Sequence, residues 1–192
     1  MHSTGNSFIA ATSDENVKKG SDRKGYVRVW DVRSAKCQRR AYLHDGDIIW
    51  VEYFPDENAF VTASEDGLLK LYDLRADDVL QVYGLDGNKV VATSASFSKS
   101  GKYLFSSYDD GRVVQWNTLT GQAELDVCQT PKRAAAVSVS PDGMAIGVAS
   151  WDSYLRVCFT SFPLPLTLRS LLETASNPLN CKNTGLLNRL LW

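Results

Sequence analysis

The chain has 192 residues, 44% hydrophobic content and 21 basic against 22 acidic side chains, a composition typical of a globular protein with an apolar core. The nearly balanced charge gives no support to a nucleic acid or an anionic lipid surface as partner. The sequence contains neither the roughly 20 apolar residues of a membrane helix nor the basic and apolar regions of a secretory signal. We therefore expect no nucleic-acid binding and no direct membrane insertion.

Catalysis and metal binding also find little support. The chain has two histidines, His2 and His44, which are too few for a histidine-based catalytic set. The four cysteines have neither zinc-site nor redox-motif spacing; they are Cys37, Cys128, Cys158 and Cys181. We predict no enzyme activity, no cofactor and no metal, in a reducing cytoplasmic setting.

Short strands joined by tight turns are predicted along most of the chain. Residues 6–13 provide one strand, and the polar segment 14–25 is predicted to be a loop. Apolar runs then end at turn sequences in residues 54–57, 97–101 and 139–143, and a second kind of turn, rich in Asp, occupies residues 64–67, 108–111 and 150–153. Gly, Pro, Asp and Ser supply the backbone geometry of such turns.

The strand after the first loop, and after each Asp-rich turn, repeats at a nearly constant interval. These strands are YVRVWD, LLKLYD, RVVQWN and YLRVC, and their closing positions, Trp30, Tyr72, Trp116 and Cys158, are separated by 42, 44 and 42 residues. Several short strands repeating at about 40 to 45 residues are the signature of a β-propeller blade. The predicted fold class is all-β, a partial WD-repeat β-propeller of about three and a half to four blades. Since propellers close with about 4 to 8 blades, we do not expect this ring to close alone.

The repeat pattern divides the chain at Cys158. Residues 1–158 are predicted to form the partial propeller, whereas residues 159–192 contain no further turn Asp and no blade spacing. We expect this tail to be disordered or to be non-native coding sequence; an appended interaction segment is the alternative.

Several strings in the repeats resemble one family closely. They are LYDLRAD at 71–77, SFSKSG at 96–101, YDD at 108–110, DGMA at 142–145 and SWDS at 150–153. They are similar to the C-terminal half of the heterotrimeric G-protein β subunit, a WD-repeat family, and the resemblance covers residues 27–157. It implies a non-enzymatic scaffold for protein–protein interaction in G-protein-coupled receptor signal transduction.

The resemblance also implies roles for particular residues. In blades of this family a loop His, a strand Thr, a turn Asp and a strand aromatic form a buried hydrogen-bonded set; His44, Thr62, Asp66 and Tyr72 occupy these positions in one blade. In the next two units Leu85 and Thr130 stand at the His position, so those sets are expected to be incomplete.

A partner-binding surface is implied as well. The family binds the GDP-bound α subunit and effectors with its top face, where Cys37, Asp47 and Trp151 match the family's residues. Glu65 stands where the family has Asp, and Ile49 where it usually has Asn. An exposed Trp is a frequent interface anchor, and a loop carboxylate fixes register by pairing with a basic residue.

The expected partners are therefore a G-protein α subunit and effectors, and the expected location is the cytoplasm, peripheral to the plasma membrane through partners. A stable γ-subunit complex is not predicted, because the heptad pattern of the family's N-terminal helix is absent from this sequence. Two alternatives remain: a truncated gene product without independent activity, and a generic propeller scaffold in another complex.

Overall fold

The computed structural model describes residues 5–13, 25–85 and 90–159. All regular secondary structure in these ranges is β-strand, and no helix of the described residues is long and apolar enough to cross a membrane. The predicted loop at 14–25 and the predicted tail at 159–192 lie outside the described residues except for one residue each: Gly25 begins a strand and Phe159 ends one.

The strands form four antiparallel sheets, and the strands of each sheet follow one another in chain order. The first sheet contains β1 (Ser7–Ser13), β2 (Gly25–Asp31) and β3 (Lys36–His44). The second contains β4 (Ile48–Tyr53), β5 (Ala59–Ser64), β6 (Leu68–Asp73) and β7 (Asp78–Gly84). The third contains β8 (Ala92–Phe97), β9 (Tyr103–Tyr108), β10 (Arg112–Asn117) and β11 (Ala123–Gln129). The fourth contains β12 (Ala134–Val139), β13 (Ala145–Ser150) and β14 (Leu155–Phe159), which ends one residue beyond the predicted boundary.

The four sheets share one strand register, so the repeat predicted from the sequence is also a repeat of the three-dimensional structure. In every sheet the closing position of the repeat lies opposite the second residue of the preceding strand. The pairs are Phe8 with Trp30, Phe60 with Tyr72, Leu104 with Trp116, and Ile146 with Cys158. Four antiparallel sheets in this repeated register confirm the predicted all-β fold class, a partial propeller.

The Asp-rich turns are also alike. Each has a residue in the left-handed region at its fourth position: Gly67 at φ 85°, Gly111 at φ 90° and Ser153 at φ 72°. In each turn the aspartate carboxylate accepts the backbone N–H two residues later, at 3.0, 3.0 and 3.1 Å in chain order. An Asp side chain bonded to its own backbone two residues on is a standard turn device, and it fixes where each third strand begins.

Apolar clusters between neighbouring sheets make up the core. The first and second sheets meet around Val27, Leu43 and Phe60. The second and third meet in the largest cluster, which includes Tyr83 and Trp116 with their rings 5.8 Å apart. The third and fourth sheets meet in a smaller cluster, which consists of Phe105, Val113, Ala134, Val137, Ile146 and Val148. Burial of these faces is the main force that holds successive sheets together.

The connections between strands fall on two opposite faces, because successive strands of each sheet are antiparallel. The top face carries the loops 45–47 and 130–133 between sheets and the Asp-rich turns 65–67, 109–111 and 151–154. The bottom face carries the turns 32–35, 54–58, 74–77, 98–102, 118–122 and 140–144. The same backbone hydrogen bond ties each Asp-rich turn to the loop before its sheet: Glu65 N–H to Asp47 O, Asp109 N–H to Val91 O, and Trp151 N–H to Arg133 O, each 3.0 Å.

Candidate protein-binding face

Three of the four residues predicted to contact a partner lie on the top face. Asp47 and Glu65 are neighbours there, since the Glu65 N–H donates to the Asp47 carbonyl oxygen at 3.0 Å. Asp47 is half-buried and Glu65 is exposed. Trp151 occupies the equivalent turn of the fourth sheet. The arrangement places two carboxylates and one indole on the same surface of the propeller.

Trp151 is the most prominent of these residues, with 65% of its side chain exposed. The backbone N–H of Trp151 donates to the Arg133 carbonyl oxygen at 3.0 Å, and the Arg133 guanidinium carbon lies 5.1 Å from the centre of the indole ring. An Arg over a Trp face is attracted by the ring's quadrupole. The contact holds the indole at the surface, where its other face is available to a partner.

A second arginine fixes the turn that carries Trp151. Both Nη atoms of Arg156 donate to the Asp152 carboxylate, at 3.1 and 2.5 Å. The hydrogen bonds from Arg156 lower the pKa of Asp152 to about 2, so this carboxylate is ionised at every physiological pH. Paired guanidinium–carboxylate bonds add geometric specificity to charge attraction, and here they define the position of the turn.

The structure does not place Cys37 with the other three residues. Cys37 lies opposite Trp30, next to the bottom-face turn 32–35, and its thiol donates to the Arg39 carbonyl oxygen at 3.2 Å. Strand β3 is nine residues long, and only its last residue, His44, reaches the top face. Identity with the family at this position therefore does not make Cys37 part of the top face.

Two side chains that the sequence did not single out as contacts complete the surface. Arg133 was missed because it lies in a loop without a motif; its position, just before β12 in the fourth unit, was the available signal. Ile49 had been noted only as a departure from the family. A shift in register between Ile48 and Trp50 turns Ile49 outward, where it is 37% exposed. A β-bulge of this kind often re-aims a side chain beside a functional surface.

Beneath the top face, three members of the predicted hydrogen-bonded set do meet. His44 is fully buried; its Nδ1 lies 2.9 Å from Asp66 Oδ2 and its Nε2 lies 2.7 Å from Thr62 Oγ1. Burial raises the pKa of Asp66, but the hydrogen bond from His44 and the N–H of Leu68 outweigh it and hold that pKa below its usual value. The set links the end of β3 to strand β5 and the Asp-rich turn.

Tyr72 does not join this set. Its ring packs on Phe60, with centroids 5.1 Å apart, and its hydroxyl donates to Asp77 Oδ1 at 2.6 Å. The reason is where the polar atom lies on each ring. The hydroxyl of tyrosine is at the tip of its ring, whereas the N–H of tryptophan is on the side of the indole. In the third sheet Trp116 holds the same place, and its Nε1–H does donate back to the preceding strand, to Ser106 Oγ at 2.8 Å.

The third and fourth sheets use arginine in place of the missing histidine. Asp110 Oδ2 accepts from Arg112 Nε at 2.6 Å, and Asp152 accepts from Arg156 as described above. Thr130, at the position of the histidine, instead donates to the Gly111 carbonyl oxygen at 3.1 Å, and Leu85 packs against the core. In both sheets the turn aspartate therefore has a positively charged partner from its own sheet.

No group of three or more His, Cys, Asp or Glu side chains capable of holding a metal occurs in residues 5–13, 25–85 and 90–159. The top face combines acidic side chains with an aromatic–basic pair. Acidic side chains, Asp47 and Glu65, lie on the second sheet, and an aromatic–basic pair, Trp151 with Arg133, lies on the fourth. Aromatic side chains and Arg are enriched in protein–protein interfaces, whereas Asp and Glu are depleted there, so Trp151 and Arg133 are the part of this surface that most resembles an interface.

Comparison with known proteins agrees with this architecture. The family model "WD domain, G-beta repeat" matches residues 35–73 and 80–117. These two stretches are WD repeats, and they run from β3 to β6 and from β7 to β10.

The chain is also similar to the β subunits of guanine nucleotide-binding proteins. It is 39% identical to subunit beta-1 from Nicotiana tabacum over 139 residues, or 68% of this chain and 37% of that protein. It is 35% identical to the β subunit from Oryza sativa subsp. japonica over 156 residues, covering 76% and 41%, and 38% identical to that from Arabidopsis thaliana over 139 residues, covering 68% and 37%. The chain thus spans about two fifths of the length of these curated relatives, and the predicted resemblance to the G-protein β subunit is confirmed.

Proposed function

We propose that this chain is a non-enzymatic scaffold of the G-protein β type, whose top face binds a G-protein α subunit or an effector in receptor signalling. The observation that carries the proposal is the exposed Trp151, held by Arg133 on the same face as Asp47 and Glu65. The relatives are named as β subunits of guanine nucleotide-binding proteins, which supports a partner of that assembly.

The physical basis is an aromatic anchor flanked by charge. A large indole buried on binding contributes more than most interface residues, and Trp is enriched among binding hot spots. The carboxylates of Asp47 and Glu65 supply a negative region that favours a basic partner surface and fixes its orientation. The partner is expected to cover both the second and the fourth sheets.

The proposal includes a location. A protein of this kind acts in the cytoplasm and is recruited to the inner face of the plasma membrane by its partners. We do not propose a stable complex with a γ subunit.

The test is binding of the full chain to a purified, GDP-loaded α subunit, measured by biolayer interferometry. Trp151→Ala is expected to weaken binding about 30-fold, the equivalent of about 2 kcal/mol at a hot spot. The matched control is Leu119→Ala, because Leu119 is 89% exposed but lies in a bottom-face turn; it is expected to bind as the parent chain does.

A further variant tests the charge. Glu65→Lys is expected to slow association more than it speeds dissociation, because an exposed rim charge acts mainly through electrostatic steering. Absence of binding by the folded parent chain would contradict the proposal. So would an equal loss of binding in Trp151→Ala and Leu119→Ala, which would place the interface elsewhere.

A further inference from the structure

Two cysteines that are 30 residues apart in the sequence meet between the third and fourth sheets. Cys128 lies in β11, opposite Val113, and Cys158 lies in β14, opposite Ile146. These two strands contact each other, and both cysteines pack against the apolar cluster that joins the two sheets. Both are free thiols and both are half-buried, so small molecules can reach them from solvent.

The surroundings make the two thiols unequal. Arg156 and Cys158 are two residues apart in β14 and therefore point to the same side of the strand. Interaction with Cys158, aided by the positive charge of Arg156, lowers the pKa of Cys128. Interaction with Cys128, together with burial, raises the pKa of Cys158. Cys128 is thus the better thiolate, and Cys158 retains its proton.

We propose that Cys128 and Cys158 are a redox site, which a hydroperoxide converts to a disulfide between the third and fourth sheets. The Cys128 thiolate attacks the peroxide; a sulfur–oxygen bond forms, the oxygen–oxygen bond breaks, and the hydroxide that leaves takes up a proton. The Cys158 sulfur then attacks the Cys128 sulfenic acid; the sulfur–sulfur bond forms, the sulfur–oxygen bond breaks, and water leaves with the Cys158 proton. Two thiols lose two electrons in total, and hydrogen peroxide is reduced to two waters.

The consequence is a covalent link between the outer strands of two sheets that are otherwise joined by packing and by hydrogen bonds between β8 and β12. β11 is the outermost strand of the third sheet and β14 is the last strand of the fourth. The sheets are otherwise joined here by the apolar cluster around Val113 and Ile146. Oxidation would tie the blade that carries Trp151 to its neighbour. The inference concerns a different surface from the proposed partner-binding face and does not depend on that function.

The test uses the full chain, reduced, freed of reductant and treated with a small excess of hydrogen peroxide. We expect the loss of two of the four thiols, a mass lower by that of two hydrogen atoms, and a monomer on a non-reducing gel, all reversed by dithiothreitol. Trypsin separates the two cysteines, because Lys132, Arg133 and Arg156 lie between them. A cross-linked peptide containing Cys128 and Cys158 is the expected product. A disulfide that involves Cys37 or Cys181, a cross-linked dimer, or four intact thiols would overturn the proposal.

Two variants test the order of events. In Cys158→Ser the sulfenic acid on Cys128 has no partner thiol, and it is expected to be trapped by dimedone. In Cys128→Ser we expect a weaker dimedone adduct on Cys158 than the one on Cys128 in Cys158→Ser, because burial still raises the pKa of the Cys158 thiol. Cys37→Ser is the matched control and should form the same disulfide as the parent chain. An adduct on Cys158 in Cys128→Ser, with none on Cys128 in Cys158→Ser, would overturn the assigned roles. Because the main result is obtained on the parent chain, it stands even if a variant folds poorly.

Discussion

Removal of the buried histidine is expected to cost a large part of the stability of the second blade. His44 is fully buried and joins Thr62 and Asp66. His44→Ala removes a hydrogen bond to a hydroxyl, about 1 kcal/mol, and one to a carboxylate, about 1.5 to 3 kcal/mol. The cavity left by the imidazole adds about 1 kcal/mol. The free energy of unfolding should therefore fall by about 4 kcal/mol, against a typical total of about 5 to 15 kcal/mol for a domain.

Urea titration of the full chain, followed by tryptophan fluorescence and by far-ultraviolet circular dichroism, measures this loss. With a typical urea slope of about 2 kcal/mol per molar, the midpoint should fall by about 2 M. Coincidence of the two signals checks that the transition is two-state. Thr62→Val keeps the bond between His44 and Asp66; it removes the bond from Thr62 to His44 and a 3.3 Å bond to the Lys70 carbonyl oxygen, and it should cost about 1 to 2 kcal/mol. A midpoint shift for His44→Ala no larger than that for Thr62→Val would refute the reasoning.

Tyr72→Phe tests whether Tyr72 belongs to the hydrogen-bonded set of His44, Thr62 and Asp66. The Tyr72 hydroxyl bonds Asp77 and not Thr62, so its removal should cost less than about 1 kcal/mol. Its effect should add to that of Thr62→Val within about 0.5 kcal/mol, as for sites that share no partner. A larger coupling between the two variants would return Tyr72 to the hydrogen-bonded set.

The His44 contribution also depends on pH in a definite direction. The folded-state pKa of Asp66 lies below its ordinary value of 3.8. The stability that this shift provides is complete above the unfolded-state pKa and is lost as the pH falls through the folded-state pKa. The difference in unfolding free energy between the parent chain and His44→Ala should therefore narrow below about pH 4. A difference that stays constant in acid would contradict this account.

Three further perturbations test other contacts by the same titration. Burial raises the pKa of Glu52. The stability that this shift provides is complete below the unfolded-state pKa of Glu52 and is lost as the pH rises through the folded-state pKa. Glu52→Gln should abolish this pH-dependent loss of stability, and a pH profile equal to that of the parent chain would contradict the prediction. Gly111 has φ 90°, and an added Cβ would collide with the Thr130 carbonyl oxygen. Gly111→Ala should therefore lower the free energy of unfolding by about 2 kcal/mol or more. A loss under about 0.5 kcal/mol, which is typical of surface substitutions, would contradict this prediction. Trp116→Phe removes the bond to Ser106 and leaves a cavity, so it should cost about 2 to 3 kcal/mol, and stability equal to the parent would refute that contact.

The repeat itself could be predicted because its signals are local. Trp30, Tyr72, Trp116 and Cys158 hold one register in four sheets, as their spacing indicated. Turn residues act through their own backbone, so the Asp-rich turns formed where the sequence placed them. A turn or strand whose cause lies within a few residues forms in the same place whatever packs around it.

The structure does not bring together all the residues assigned from the family resemblance, because a match in sequence ignores which end of a strand a residue occupies. Asp47, Glu65 and Trp151 lie in connections, which the antiparallel order of the strands assigns to one face. Cys37 lies inside a strand, near its bottom end. Tyr72 kept its place in the register, but its hydroxyl has a different reach from the N–H of an indole.

The sequence by itself determined the strands, their turns and their register, since period-two apolar runs and turn residues act locally. Only the tertiary structure decided which side chains meet between sheets: Arg133 with Trp151, Glu52 with the backbone N–H of Phe97, and Cys128 with Cys158. These contacts depend on how neighbouring sheets pack face to face, and the separation of two residues along the chain carries no information about that packing.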